Sequence, residues 1–202
     1  MIQTIFGSPV VVINSKNTKE LFPDNIYKEI VDHLMGPESK FVEHPYTRGG
    51  KVCTTDLNFT MMGDRIERLN VLINFLKDTG LEYSHLFSNK CVADLKFHNM
   101  WINLSFQGCE IKNHYDRYDD FYDKSLIVLF YPKVPVGGAN LVFIHNSEYG
   151  EWASDRQDKD LVKINISEGD IVIIDNYVLH AVDAHNSSEP RMCIATEFKL
   201  VL

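Results

Sequence analysis

Residues 168–180 have the sequence EGDIVIIDNYVLH, and this stretch predicts two β-strands joined by a short bend. Gly169 and Asp170 are typical turn residues, and an apolar run of strand length follows them. Asp175 and Asn176 then mark a bend, after which His180 begins the next strand. The stretch therefore predicts a β-rich fold with a histidine at the start of a strand.

The same pattern of short β-rich runs separated by turn residues extends over the second half of the chain. Eight such runs are present from Cys91 onward, and strands with this spacing are typical of a β-sandwich or barrel. The runs cover residues 91–106, 109–116, 125–131, 139–144, 161–166, 170–175, 178–182 and 191–201. The sequence therefore predicts a mainly β fold.

Two helices are predicted in the first ninety residues. Residues 22–37 carry apolar side chains at helical spacing. Residues 63–80 do the same, with Asp64 and Glu67 at the spacing of a capping box and Gly80 as the end of the helix. We expect both helices to support a β-sheet from behind.

The size and charge of the chain limit the kinds of protein it can be. It has 202 residues, of which 45% are hydrophobic, so it can form a substantial core within one domain. We expect residues 1–90 to be a helical support region and residues 91–202 to be the β core. The net charge of -8 disfavours a nucleic-acid partner, because such a chain does not attract a phosphate backbone.

The sequence contains no apolar segment of the roughly 18 residues that a membrane-spanning helix needs, and its N-terminus does not resemble a secretion signal. We therefore expect a cytoplasmic protein with no membrane partner. The cysteines at positions 53, 91, 109 and 193 include no CxxC pair, which fits reduced thiols without a metal or redox role.

A candidate metal site combines one local motif with a distant histidine. His114 and Asp116 are separated by one residue, so on a strand their side chains would share a face, about 6.7 Å apart along the backbone. A third ligand should come from a later strand that the fold brings close, and His180 fits that position. Two histidines and one carboxylate are the set that binds Fe(II) on one side and leaves other coordination positions open.

HxD followed 64 residues later by histidine, and then by Arg191, resembles the Fe(II)/2-oxoglutarate-dependent oxygenases of the prolyl-hydroxylase-like branch. The resemblance covers roughly the second half of the chain, and PVGGANLVF (residues 135–143) is similar to the family's Gly-Gly turn. It implies a double-stranded β-helix, a jelly-roll or cupin-like barrel, flanked by the two predicted helices. Small members encoded by tailed phages are similar in size, which would imply the host cytoplasm as the location.

The resemblance also implies roles for individual residues. His114, Asp116 and His180 would hold the iron, and Arg191 would pair with the distal carboxylate of 2-oxoglutarate. A guanidinium suits that role because its planar fork binds a carboxylate through two hydrogen bonds and keeps its charge when buried. Asn103 and Tyr131 are predicted to lie beside this cosubstrate, although this chain has FYP and Ser105 where members of the family carry Tyr-Leu-Asn and tyrosine.

The implied activity is hydroxylation with 2-oxoglutarate and O2 as cosubstrates, releasing succinate and CO2. A protein residue, a free amino acid and a small metabolite all remain open as substrates, as does a need for ascorbate. Two other functions also stay open. A cupin-type metal protein would share the barrel and the Gly108-to-His114 spacing, and a non-catalytic jelly-roll module would share the fold alone.

Overall fold

Antiparallel strands form two β-sheets in the computed structural model of the chain. The structure describes residues 1–15, 18–24, 27–28, 31–32, 42–43, 46–49, 52–56, 67–116, 124–145 and 161–202. In the first part of the chain the elements are β1 (Ile2–Ile5), β2 (Ser8–Asn14), α1 (Thr18–Leu21), β3 (Val42–Glu43), β4 (Thr47–Gly49), β5 (Val52–Asp56) and α2 (Glu67–Tyr83).

A short 3-10 helix (Ser84–Leu86) follows α2, and the described elements after it are strands. They are β6 (Asp94–Ser105), β7 (Cys109–His114), β8 (Ser125–Lys133), β9 (Leu141–Ile144), β10 (Leu161–Ile164), β11 (Asp170–Asp175), β12 (His180–Val182) and β13 (Arg191–Val201). Each of the eight runs predicted from residue 91 onward contains one of these strands. The predicted mainly β fold is confirmed.

The larger sheet has the strand order β1-β2-β11-β8-β13-β6-β5-β3, and the smaller sheet has the order β10-β9-β12-β7-β4. The two sheets pack against each other through a shared apolar cluster. Leu129 and Val172 enter this cluster from the larger sheet, and Leu141 and Phe143 enter it from the smaller one. The space between the sheets is therefore a core into which both sheets direct side chains.

Strand β8 shows how the sequence divides its side chains between two cores. Residues 126, 128 and 130 belong to the cluster beneath helix α2, whereas residues 127, 129 and 131 belong to the cluster between the sheets. Successive side chains of a strand point to opposite faces, so a strand covered on both faces is apolar throughout. This arrangement explains the unbroken apolar run SLIVLFY in the sequence.

Helix α2 covers the outer face of the larger sheet. Leu72, Ile73 and Leu76 are buried in the cluster that the helix shares with that sheet. Of the described residues in the first predicted helix, those at positions 24, 27, 28, 31 and 32 are helical and those at positions 22 and 23 are not, and Tyr27 and Val31 pack against the same cluster. Both helices thus support the sheet as predicted, and no described helix is long and apolar enough to cross a membrane.

The prediction that Gly80 ends the second helix is wrong, because α2 continues to Tyr83. A Cβ atom at Gly80 would lie 3.0 Å from a methyl carbon of Leu95 and 3.3 Å from one of Val128. Glycine at this position lets the helix approach the sheet closely. The predicted cap at Asp64 lies outside the described residues.

The first ninety residues contribute more to the sheets than the sequence predicted. Strand β2 pairs with β11, β5 pairs with β6, and β4 pairs with β7. None of these strands of the first ninety residues was predicted, and only the short apolar run PVVVI within β2 stands out in the sequence. Strands β3 and β4 have two and three residues, which is too short to show a two-residue alternation.

We expect Gly80→Val to destabilise the protein, because the larger side chain must push Leu95 and Val128 apart. Overpacking of this kind costs about 1–3 kcal/mol in the free energy of unfolding, which urea denaturation measures. Val71→Ala on the exposed face of the same helix is the control, with an expected change within about 0.5 kcal/mol. Equal stabilities of the two variants would contradict the close helix–sheet contact.

Candidate metal centre and adjoining cavity

The pairing of β12 with β7 brings the two predicted histidine ligands together. His180, the first residue of β12, lies directly opposite His114, the last residue of β7. Their ring centroids are 4.4 Å apart, and both side chains are buried. Two residues that are distant in sequence thus present adjacent imidazoles at one end of the smaller sheet.

Asp116 completes the group from just beyond the end of β7. The sequence placed it on the strand, but β7 ends at His114 and Asp116 lies two residues later. Its Oδ1 is 3.6 Å from Nε2 of His114, and its Oδ2 is 3.4 Å from Nε2 of His180. The donor atoms of the three residues all lie within 4.8 Å of one another, a spacing at which they could hold one metal ion.

Backbone carbonyls set the tautomer of both histidines. Nδ1 of His114 lies 2.8 Å from the carbonyl oxygen of Lys112, and Nδ1 of His180 lies 3.0 Å from that of Val178. A carbonyl oxygen only accepts hydrogen bonds, so Nδ1 carries the proton and donates in each ring. In the neutral ring Nε2 then holds the lone pair that a metal ligand requires, whereas in protonated His180 the same atom donates a hydrogen bond to Asp116.

The pKa of His180 is set by the burial of its ring and by the nearby carboxylate of Asp116. Burial by itself lowers the pKa of His180. The charge of Asp116 and the hydrogen bonds to Asp116 and to the Val178 carbonyl raise the pKa by more than burial lowers it. The net pKa lies above the ordinary value for histidine. The carboxylate therefore favours a positive charge between the three side chains, which a proton or a metal cation can supply.

A small cavity that is partly open to solvent adjoins the three residues and lies between the two sheets. The smaller sheet contributes the two histidines and apolar side chains. The larger sheet contributes residues from β6, β8 and β13 whose side chains point inward. The lining residues from the larger sheet are Trp101, Asn103, Leu129, Tyr131, Arg191, Cys193 and Ala195.

Arg191 is the largest charged side chain in this cavity. It is only 1% exposed, and its Nε and Nη2 have no hydrogen-bond partner among the described residues. Its guanidinium carbon lies 4.8 Å from the ring centroid of Tyr131. Buried charged groups are costly unless they are paired, so these two nitrogens are available to an anionic group that the described residues do not supply.

The other two residues predicted to bind a cosubstrate lie in the same cavity. Asn103 stands directly opposite Cys193 in the β6–β13 pairing, two positions from the Arg191–Ser105 pair. Its Oδ1 is buried without a hydrogen-bond partner among the described residues. Tyr131 is fully buried, and burial raises the pKa of its hydroxyl well above the usual value, so the phenol stays neutral.

Two residues at the site were missed by the sequence analysis. Cys193 lines the cavity, and its position two residues after Arg191 on the same strand face is a signal that could have placed it there. Tyr46 stacks on His114 with ring centroids 5.3 Å apart, but no strand was predicted around it. Two other histidines, His98 and His145, belong to no metal-binding group among the described residues.

Solved structures show which known proteins share this fold. SnoN, a non-heme alpha ketoglutarate dependent epimerase from nogalamycin biosynthesis, is 15% identical with a TM-score of 0.61, covering 94% of this chain and 78% of its own. EvdO2 from Micromonospora carbonacea var. aurantiaca, solved with 2-oxoglutarate, is 12% identical with a TM-score of 0.61, covering 95% and 86%.

A prolyl-4-hydroxylase from Pseudomonas putida is 14% identical with a TM-score of 0.51, covering 94% of this chain and 91% of its own. No protein-family model matches the sequence, and no curated protein is significantly similar to it. At these identities the likeness shows the fold alone. The predicted double-stranded β-helix with supporting helices is thereby confirmed.

We expect the thiol of Cys193 to react far more slowly with iodoacetamide than that of Cys91. Burial raises the pKa of Cys193 to about 11, so only about one thiol in a thousand is ionised at pH 8, whereas Cys91 is exposed. Site-resolved mass spectrometry of the folded protein should show at least a ~100-fold difference in rate, which unfolding in urea removes. Similar rates in the folded state would mean that the cavity wall is open at Cys193.

Proposed function

We propose that this protein is an Fe(II)- and 2-oxoglutarate-dependent dioxygenase that hydroxylates an organic substrate. One observation carries the proposal: the His114, Asp116 and His180 donors share a single cavity with Arg191, whose Nε and Nη2 are buried without partners. A metal site and an anion site that line one cavity are what a metal-chelating oxoacid needs. The whole chain, residues 1–202, would form this one domain, since strands from both halves pair in both sheets.

The donor set fits a ferrous ion. The carboxylate balances one of the two positive charges of Fe(II), and the neutral imidazoles leave a net charge of one. The three groups supply three ligands from one side of the ion. His114, Asp116 and His180 would hold the metal, with the Nδ1 hydrogen bonds to the carbonyls of Lys112 and Val178 leaving Nε2 as the ligand atom of each ring. Zinc and cobalt also bind imidazole and carboxylate, so Co(II) can serve as a probe of the same site.

The cavity fits 2-oxoglutarate at its other end. Arg191 would bind the distal carboxylate through two parallel hydrogen bonds, using nitrogens that otherwise stay unpaired. Asn103 would add a hydrogen bond through its side-chain amide, and the ring of Tyr131 would hold the guanidinium in place from one face. The neutral thiol of Cys193 adds no charge that would repel the dicarboxylate.

When bound, the ferrous centre would couple the oxidative decarboxylation of 2-oxoglutarate by O2, giving succinate and CO2, to oxidation of a substrate C–H bond. The residues of this chain would orient the cosubstrate and exclude water. Leu129, Leu141 and Ala195 give the cavity apolar walls, so little solvent competes for the metal or for Arg191.

The structural relatives support this chemistry and leave its outcome open. SnoN has been solved in complex with Fe3+, alpha ketoglutarate and nogalamycin RO, and alpha ketoglutarate is another name for 2-oxoglutarate. The relatives are named as an epimerase, a carbocyclase and a prolyl-4-hydroxylase, so one fold accommodates several oxidative outcomes. We propose hydroxylation as the outcome, with a protein residue, an amino acid or a small metabolite as the substrate. Membership of the prolyl-hydroxylase-like branch and a cytoplasmic location are further predictions.

The decisive experiment measures succinate after Fe(II), 2-oxoglutarate and O2 are added to the purified protein, with and without candidate substrates. We expect slow succinate formation without substrate, lost in His180→Ala and kept in the control variant His145→Ala. His145 lies outside the metal group. A protein that binds metal but forms no succinate under any condition would be a cupin-type metal protein. A protein that neither binds metal nor forms succinate would be a non-catalytic jelly-roll module.

We expect Arg191→Met to weaken 2-oxoglutarate binding about 10- to 100-fold, because hydrogen bonds to a charged group contribute about 1.5–3 kcal/mol. Cobalt binding should remain within about twofold of the unmodified protein, since Arg191 supplies no metal ligand. Isothermal titration with each ligand separately measures both effects. Unchanged affinity for 2-oxoglutarate would place its distal carboxylate elsewhere.

A further inference from the structure

Strand β4 is held tightly beside the strand that ends in the candidate metal ligand. Thr47 lies opposite Ile111, and Gly49 lies opposite Cys109. Gly49 has a φ of +76°, and a Cβ atom on it would overlap the carbonyl oxygen of Gly108. Any other residue would therefore strain the backbone and displace the strand. These contacts fix the register of β4 along β7.

That register places Tyr46, the residue before β4, next to the end of β7. The carbonyl oxygen of Tyr46 accepts a hydrogen bond from the Lys112 amide at 2.8 Å. The carbonyl oxygen of the same Lys112 accepts the hydrogen bond from Nδ1 of His114. One residue of β7 therefore connects the backbone of Tyr46 to the imidazole of His114.

The two rings are also in direct contact. The phenol ring of Tyr46 lies nearly parallel to the imidazole of His114, with an interplanar angle of 18° and a centroid distance of 5.3 Å. Tyr46 is 45% exposed, whereas His114 is 8% exposed. The tyrosine thus covers a buried ligand while keeping part of its own ring in solvent, and it lines no part of the cavity wall.

We propose that Tyr46 is a positioning residue of the metal centre, which restricts the tilt of the His114 imidazole so that Nε2 points at the metal. This inference rests on the proposed metal site. The Nδ1 hydrogen bond constrains the ring at one atom only, and rotation about that bond would swing Nε2 away from Asp116. The His180 ring, 4.4 Å away, limits this rotation, and stacking on Tyr46 adds a further constraint. Groups that orient a metal ligand commonly raise its affinity for the metal.

The test is a titration of the metal-free protein with Co(II) alone, followed by visible absorption. Tyr46→Leu removes the ring and keeps an apolar side chain, and we expect Co(II) to bind about 3- to 10-fold more weakly, as a lost stacking contact implies. The Co(II) absorption bands should shift as well, because the geometry of one ligand changes. Tyr46→Phe keeps the ring and should restore both the affinity and the spectrum.

Phe6→Leu is the matched control. Phe6 is another partly exposed aromatic residue in contact with a histidine, since its ring lies 4.9 Å from that of His145, but this pair has no part in the metal group. Its removal should leave Co(II) affinity unchanged. Tyr46→Gln repeats the test with a polar side chain. Circular dichroism shows whether each variant folds, and if one does not, the other still decides the question.

The outcomes separate this inference from the proposed function. If His180→Ala binds Co(II) as well as the unmodified protein, the metal site itself is wrong, and Tyr46 has no ligand to position. If His180→Ala loses Co(II) while Tyr46→Leu and Tyr46→Gln match the unmodified protein in affinity and spectrum, the metal site stands and the role of Tyr46 is overturned. Weaker binding with a shifted spectrum in these variants, restored in Tyr46→Phe, supports it.

Discussion

The register of β12 against β7 is the constraint on which the candidate site depends. Side chains alternate between the two faces of a strand, so a shift of one residue would turn His180 away from the space between the sheets. The observed pairing sets His180 opposite His114, and the adjacent pairing of β12 with β9 sets it opposite Phe143. Burial of the apolar residues around this pair therefore also determines where the imidazoles meet.

The cavity between the sheets contains polar groups at positions that are usually apolar in a β-sandwich. Inward-facing positions of a β-sandwich are normally apolar, because an unpaired polar group loses its hydrogen bonds to water there. Arg191 and Asn103 occupy such positions with atoms that lack partners among the described residues, close to Asp116 and the two histidines. A protein retains such groups at a cost in stability, and binding of a charged ligand offsets that cost.

The strand pattern of the second half could be predicted because most of the strands from β6 to β13 are long or strongly apolar, so their alternation or continuous hydrophobicity appears in the sequence. The three-residue β12 was recognised from the longer apolar run VLHAV that contains it. Gly80 shows the limit of local signals. Glycine near the end of an apolar helix pattern indicates a cap, but here the nearest side chains of the sheet decide its role. Tyr46 could not be recognised for a similar reason, since its importance comes from a three-residue strand that pairs with residues more than sixty positions later.

The sequence by itself determined the kinds of chemical groups available: an HxD pair, a histidine at a strand start and an arginine at the start of the last strand, each at a position that alternation allows to face inward. It also determined the mainly β fold, because periodic apolar residues must be buried. Only the tertiary structure decided which of the described histidines share a site, since the pairing of β12 with β7 brings positions 114 and 180 together. It likewise decided that Nε and Nη2 of Arg191 have no hydrogen-bond partner among the described residues, because the partners of a buried group depend on every strand around it.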